Sequence, residues 1–377
     1  MTFRRSVARQ ERAKNRDTMQ IPLPRTPDPR EAPALRWGIA APGSIASDFA
    51  QALSTSTRQS LVAVGSRDRE RARAFASAHN IPHAYGSYPE LVSAVDIDAI
   101  YVASVTSEHF PIALLAIEAG KHVLVEKAMT RNAHEARVLA DSARDNGVVL
   151  MEAMKTRFLP RTDVVRQLLS DGVIGDLEWV SADVGRSLMM NSRLLDPALA
   201  GGALLDLGCY AVALVLFALG RPNTVRAEGV LTASGVDRQT SIMMGEFAGH
   251  PGAQAHVFAT IGADTGRRAQ ILGSRGRIEL PDGFYGPGRV EVVLATGATA
   301  TYQPDELRGR ASMAYEIAHF AEVVHRGDSE SPLMPVAESI AAMETMDRAR
   351  CDLGVTYPGE QPCVEITREM PTSSPSA

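Results

Sequence analysis

Leu35-Arg36-Trp37-Gly38-Ile39-Ala40-Ala41-Pro42-Gly43-Ser44-Ile45-Ala46 is the stretch that decides the fold. A short apolar run ends in a Pro-Gly turn signal, after which Ile45, Phe49 and Leu53 recur at the spacing of one helix face. Strand, tight turn and helix in that order put Ala41 to Ala46 where a G-x-G-x-x-G/A turn binds a dinucleotide. There Gly43 lets the backbone approach a pyrophosphate, and the N–H groups of Ser44 and Ile45 open a helix whose positive end attracts it. Ala46 is small enough for the helix to pack closely on the strand. Ala41 replaces the first glycine of the pattern, so its backbone is expected at φ below zero.

Apolar runs at 35–41, 60–66, 99–104, 122–127 and 148–153 alternate with helical patterns, the signature of a parallel sheet with crossover helices. Asn132 and Glu135 form a capping box for a helix that stops at Gly147. After residue 157 the pattern changes to long alternating runs at 177–185, 226–234, 239–248, 253–262, 267–280 and 289–303. Helices are expected at 161–170, 203–219, 312–326 and 335–352. The fold class is therefore α/β: an N-terminal Rossmann doubly wound sheet at 35–157, then an α+β domain at 158–357 with a large, mostly antiparallel open sheet.

The 377 residues suffice for two such domains, and a net charge of −5 with mixed signs recommends neither nucleic acid nor an anionic membrane as partner. Three cysteines, Cys209, Cys351 and Cys363, make no disulfide framework or metal-ligand spacing, so a reducing cytoplasm is the expected compartment. The apolar stretch Ala203 to Leu219 carries Asp206 and Tyr210 and reads as too short and polar to cross a membrane. The Arg- and Pro-rich residues 1–34, with Met19 as an alternative start, read as a disordered extension, and 358–377 as a flexible tail.

At the end of the second run, Ser66 and Arg67 stand where an NAD site places an acid for the ribose 2′-hydroxyl. A hydroxyl and a guanidinium bind a 2′-phosphate instead, so NADP is the expected cofactor, with NAD as the alternative. Arg69, Arg71 and Arg73 read as solvent-facing, and Asp68 as the cap of the next helix.

Glu126-Lys127-Ala128, Met151 to Pro160 and Gly201-Gly202-Ala203-Leu204-Leu205-Asp206-Leu207-Gly208-Cys209-Tyr210, with the loop at 41–46, resemble the Gfo/Idh/MocA oxidoreductases over about residues 35 to 350. The likeness is greatest to the branch of dihydrodiol dehydrogenases and NADP-dependent xylose dehydrogenases. It implies a catalytic Lys127 beside the nicotinamide, with Asp206 and Tyr210 brought from the second domain. Spacing agrees, because residues four apart on a helix share a face. Tyr210 is expected to take the hydroxyl proton, its pKa lowered by Lys127, while Asp206 orients the substrate or holds Lys127. The alternative gives proton transfer to Lys127 with a depressed pKa. The resemblance also puts Ser104, His109 and Glu126 beside the cofactor and Arg157 beside substrate or cofactor. Three departures stand out: Ala41, Ala128 in place of the signature proline, and Lys155 in place of an aromatic.

The expected activity is NADP-dependent hydride transfer to or from a sugar-like or cyclic polyol, in a homodimer or higher homo-oligomer. The alternative is a non-catalytic NAD(P)-binding regulatory or scaffold protein. No metal site is expected, since Pro82 breaks any helix joining His79 and His83.

Overall fold

The computed structural model describes residues 19–281, 283–303 and 307–361. The first sheet is all parallel, with six strands in the order β3-β2-β1-β4-β5-β6. They are β1 (Arg36–Ala40), β2 (Ser60–Gly65), β3 (His83–Tyr85), β4 (Ala99–Val102), β5 (His122–Glu126) and β6 (Leu150–Ala153). The central strands are buried on both faces, as crossover helices require. The crossovers are α1 (Ser44–Ser56), α2 (Arg69–His79), α3 (Tyr88–Val92), α4 (Thr106–Glu118) and α5 (Ala133–Asn146). Asn132 caps α5 through Glu135 N, and Gly147 ends it in the left-handed region, both as the capping pattern predicts. The edge strand β3, only three residues long, carries no alternating pattern and was not foreseen.

Trp37 shows how the core resolves its polar atoms. It is fully buried against Phe49 and Phe320, and its Nε1 donates to Gln59 Oε1 at 3.1 Å. The same oxygen accepts from Leu35 N, while Gln59 Nε2 donates to Pro33 O. A buried amide is thus satisfied on both sides, sparing the cost of about 1–3 kcal/mol for an orphaned donor or acceptor.

The second sheet has eight strands in the order β14-β13-β12-β11-β7-β10-β9-β8. They are β7 (Leu177–Gly185), β8 (Pro222–Leu231), β9 (Asp237–Phe247), β10 (His250–Thr260), β11 (Ala269–Gly273), β12 (Gly276–Leu280), β13 (Val290–Leu294) and β14 (Thr299–Tyr302). All pairings are antiparallel except β7 with β10. The expected single runs at 267–280 and 289–303 are each a hairpin, because Ser274-Arg275 and Thr296-Gly297 turn the chain. Helices α6 (Pro160–Ser170), α7 (Cys209–Leu219), α8 (Met313–Arg326) and α9 (Val336–Leu353) complete this half.

Several expectations are corrected. Residues 19–34 are packed rather than a loose extension: Arg25 pairs with Asp163 at 3.0 Å and Gln167 Nε2 donates to Leu23 O. Residues 1–18 lie outside the described residues. The tail reading fails at its start, since Glu360 accepts from the buried Arg350 at 2.8 Å; 362–377 lie outside the described residues. Cys351 is disulfide-bonded, against the expectation of no bridge. Pro197–Leu219 does reach the length and hydropathy of a membrane span, with mean hydropathy 2.1, yet 78% of that window is buried inside the protein.

Candidate active site

Between β1 and β4 the strand order reverses, and a cleft of about 700 Å³ opens there at the carboxyl ends of the strands. It is lined at one end by Ala41, Gly43, Ser44, Ile45, Ser66 and Arg67, and at the other by Lys127, Asp206 and Tyr210. Ser104, His109 and Glu126 lie between. All the residues expected to hold cofactor or act on substrate therefore share one cleft, with the exception of Arg157.

Gly43 stands just before α1 with an extended backbone, and a Cβ built there meets nothing within 4 Å. No side chain caps α1 and its first turn carries no acid, so the N–H groups of Ser44 and Ile45 keep their capacity for an anion. Ala41 has φ of 71°, which corrects the expectation of a negative value: the turn keeps the left-handed geometry of the glycine it replaces. Its N–H donates to Gly65 O at 3.0 Å, fixing the turn to β2.

At the end of β2, Ser66 Oγ accepts from Asp68 N, and Asp68 caps α2 as expected. Arg67 is 73% exposed and reaches Glu108 at 3.4 Å, an ion pair weak enough to exchange for a ligand. Arg71 was read as a solvent-facing arginine, yet its Nη2 donates to Pro42 O at 2.6 Å and it lines the cleft. Its place in the first turn of the helix after β2 was the available signal.

Lys127 follows the last residue of β5, and the Lys127-Ala128 peptide is cis. Its Nζ donates to Asp206 O at 2.5 Å, stands 3.9 Å from Asp206 Oδ1 and lies 4.9 Å from the centre of the Tyr210 ring. Asp206 belongs to a π turn, Leu204–Gly208, that winds into α7, where Tyr210 occupies the first turn. Asp237 Oδ2 holds that turn by accepting from Leu204 N at 2.7 Å. Gly202 must be glycine: φ is 115° and a Cβ would fall 2.1 Å from Asp237 Oδ1. The Gly-Gly-Ala stretch is thereby explained by close approach.

Charge in this end is balanced by contact. Burial works against ionised Asp206, but Lys127 and Arg193 outweigh it and hold the carboxyl below its usual range. Arg193 Nη2 donates to Asp206 Oδ1 at 2.8 Å; the loop around Arg186 to Arg193 is expected from the sequence to line the pocket, but the turn Ser192–Leu195 has no periodicity that would place the side chain. Burial also opposes the charge on Lys127, yet Tyr210 and Asp206 raise its pKa, so the expected depressed lysine is not found. For Tyr210 burial raises the pKa and exceeds the lowering by Lys127, so the expected acidified phenol is corrected too. The ring of Tyr210 stacks on Tyr285 with centroids 4.9 Å apart.

His109 is buried with Nδ1 2.9 Å from Ala128 O and Nε2 3.0 Å from Ser104 O. It braces the turn after β4 against the peptide after Lys127, and burial pushes its pKa down to about 4. Glu126 accepts from the hydroxyl of Tyr101, and burial raises its pKa. Arg157 is buried behind the cleft, where it pairs with Glu338, donates to Ala213 O at 3.2 Å and lies over the Phe217 ring. Burial lowers its pKa to about 9. Its expected substrate contact is therefore corrected to a brace within the second domain. Among the described residues, no group of three or more His, Cys, Asp or Glu side chains is arranged to hold a metal ion.

Residues 35–154 match a family model described as an oxidoreductase family with an NAD-binding Rossmann fold, and 162–279 match the GFO/IDH/MocA C-terminal domain. The chain is 38% identical over 332 residues to the trans-1,2-dihydrobenzene-1,2-diol dehydrogenase of Xenopus tropicalis, across 86% of this chain and 100% of that one. Identity to the Mus musculus protein of the same name is 37% over 338 residues, 87% and 99% of the two chains. A 3-ketoreductase from Actinomadura kijaniata, solved with NADP and TDP-benzene, superimposes with a TM-score of 0.72 at 25% identity, across 85% of this chain and 98% of that one. An aldose-aldose oxidoreductase from Caulobacter crescentus shares the fold, with a TM-score of 0.75 at 21% identity, over 85% and 98%.

Proposed function

The chain belongs to the Gfo/Idh/MocA family of oxidoreductases, and on that premise we propose that it transfers a hydride between NADP and a hydroxyl- or carbonyl-bearing carbon of a sugar-like or cyclic diol substrate. The observation that carries this reading is the meeting of Lys127 from one domain with Asp206 and Tyr210 from the other, at the far end of a cleft that begins at the glycine loop. The relatives' names, a trans-1,2-dihydrobenzene-1,2-diol dehydrogenase and a 3-ketoreductase, support a substrate with a hydroxyl- or carbonyl-bearing carbon.

The residues present fit a dinucleotide. The uncapped start of α1 and the open space at Gly43 suit a pyrophosphate, and Ser66, Arg67 and Arg71 suit a 2′-phosphate better than a bare ribose. Of the two acids nearby, Asp68 is committed to capping α2 and Glu108 is paired with Arg67. When bound, the nicotinamide would give or accept the hydride.

This chain's own groups handle the proton. Lys127 is held as an ammonium by the charge of Asp206 while its Nζ lies over the Tyr210 ring, and Tyr210 is held as a phenol by burial. In reduction both can donate to the oxygen of the substrate, and Tyr210 supplies the proton while Lys127 neutralises the developing charge. In oxidation Tyr210 must first lose its proton, which Lys127 assists. Asp206 keeps Lys127 in place through its carbonyl oxygen.

The exposed Val230, Leu231 and Met243, 39–47% accessible on β8 and β9, support a homo-oligomer; a monomer in sedimentation at micromolar concentration would refute it. The first experiment on function is fluorescence titration with NADPH and NADH, followed by turnover of cyclic diols and aldoses. NADPH preference with turnover of such a substrate is expected; failure to bind either cofactor at hundreds of micromolar ends the reading.

A further inference from the structure

The substrate end of the cleft carries more positive charge than a neutral polyol would use. Arg193 spends one amino nitrogen on Asp206, is 35% exposed, and has the rest of its fork available. Arg186, close enough to Asp206 to help hold its carboxyl ionised, ends one strand that backbone bonds join to two others. Arg186 N donates to Thr260 O at 3.1 Å, and Ile261 N to Arg238 O at 2.9 Å. The guanidinium of Arg238 lies over Gly262, where a Cβ would sit 2.7 Å from its Nε. Arg267 and Arg268 follow on the same turn, their backbone N–H groups held by Asp183 at 2.8 and 3.3 Å.

These strand ends support the π turn that carries Asp206, since a Cβ at Gly208 would lie 3.1 Å from Ala259 Cβ on β10. Among the described residues no carboxylate pairs with the side chains of Arg186, Arg238, Arg267 or Arg268; Asp183 is used by backbone N–H groups and Asp264 faces solvent on the same turn. Unpaired guanidiniums in a group repel one another, which an incoming anion would relieve.

Resting on the reading that a hydroxyl-bearing carbon is held by Lys127 and Tyr210, we infer that this arginine rim, with Arg193 at its inner edge, binds an anionic group of the substrate, a carboxylate or a phosphate, so that acidic sugars are preferred over neutral ones. Arg193 is then a specificity-determining residue. Its planar fork can bridge Asp206 and the substrate anion together, which ties recognition of the charged group to the position of Asp206 and hence of Lys127.

The probes are glucose, glucuronate and glucose 6-phosphate, one ring with a hydroxymethyl, a carboxylate or a phosphate at one end. Binding to NADPH-saturated protein is measured by calorimetry and turnover by nicotinamide absorbance. The proteins are wild type, Arg193→Gln, the double variant Arg186→Gln/Arg238→Gln, and Arg73→Gln on α2 as a remote control. An anionic probe is expected to bind at least about tenfold more tightly than glucose at low salt, with the margin shrinking as salt is added. The margin falls about ten- to hundredfold in Arg193→Gln and persists in Arg73→Gln; which anion leads separates carboxylate from phosphate. Glucose binding as well as both anions, or a margin that survives in both rim variants, overturns the rim. Anion binding lost in the rim variants but accompanied by turnover of no probe supports the rim and overturns the proposed sugar-like substrate. Binding by none of the three overturns both.

Discussion

Acidification should loosen the turn that carries Lys127 through one residue, His109. In the folded protein burial lowers its pKa from 6.5 to about 4, because an imidazolium would be enclosed away from water and near Lys127. The unfolded chain binds the proton at the ordinary pKa, so between the two values it holds more protons than the folded state. For a group whose folded pKa is depressed, stability is present above the unfolded pKa and lost as pH falls through the folded one. The loss approaches about 1.4 kcal/mol per pH unit and totals about 3 kcal/mol between pH 6.5 and 4. His109→Gln keeps an amide that can donate to Ala128 O or Ser104 O but cannot titrate. Urea unfolding from pH 7 to 4, followed through Trp37 in the first sheet and Trp179 in the second, gives the difference between the two proteins. His319, also lowered to about 4 by burial, contributes to both and cancels. Wild type is expected to lead at pH 7 and to lose about 3 kcal/mol of that lead by pH 4 in the Trp37 signal. Parallel stability curves would refute the assignment of a neutral, buried His109.

Tyr210→Phe should lower kcat about 10²- to 10⁴-fold with cofactor Kd unchanged, as loss of a positioned proton donor requires; an equal loss of cofactor affinity would point to collapse of α7 instead. Because burial keeps Tyr210 protonated, oxidation by the wild type is expected to climb with pH from 7 to 10, and a plateau below pH 8 would assign the base to another group. Arg71→Ala should weaken NADPH about tenfold or more while leaving NADH within about twofold, read by fluorescence titration, since it removes a guanidinium from the end of β2 and a bond to Pro42 O. Equal weakening of both cofactors would mean that Arg71 only shapes the loop. Ala41→Gly should raise unfolding stability by up to about 1 kcal/mol, since it relieves a non-glycine residue at φ of 71° against the greater freedom of glycine in the unfolded chain; a lower melting temperature would show that the strain is absent.

What the sequence revealed and what it concealed divide along physical lines. The parallel sheet was legible because strands buried on both faces are uniformly apolar, and α5 was legible at both ends because Asn132, Glu135 and Gly147 act locally. Gly43, Ser66, Lys127, Asp206 and Tyr210 share the cleft because each sits at the end of an element whose order alone fixes its place. Residues whose roles depend on long-range packing were misread. Arg157 looks like a linker arginine until Glu338 and Phe217, from distant helices, enclose it. Arg71 looks like a solvent-facing charge until Pro42 is brought to it, and the loop of Arg193 points to the pocket without placing the guanidinium that meets Asp206. Ala41 keeps a backbone that its side chain disfavours because the loop is bound to Gly65 on the next strand, and context overrides the residue's own preference.

The pairing of Asp206 with Tyr210 was reached through a helix geometry that the protein does not use there, and the reason it still held is instructive. In an α-helix a residue four positions along lies about 40° past a full turn. The Leu204–Gly208 segment is a π turn, whose i→i+5 bonds wind wider and leave that residue short of a full turn. Both windings keep the two side chains on one face, so spacing predicts the shared pocket in either case. The wider turn changes the backbone: it presents Asp206 O to Lys127 Nζ at 2.5 Å, a carbonyl that a regular helix would commit to its own ladder. The lysine thus hydrogen-bonds to the backbone of Asp206, while the carboxylate, 3.9 Å from Nζ, receives its hydrogen bond from Arg193. Replacing Asp206 by Asn should accordingly disturb Arg193 and the rim more than the position of Lys127.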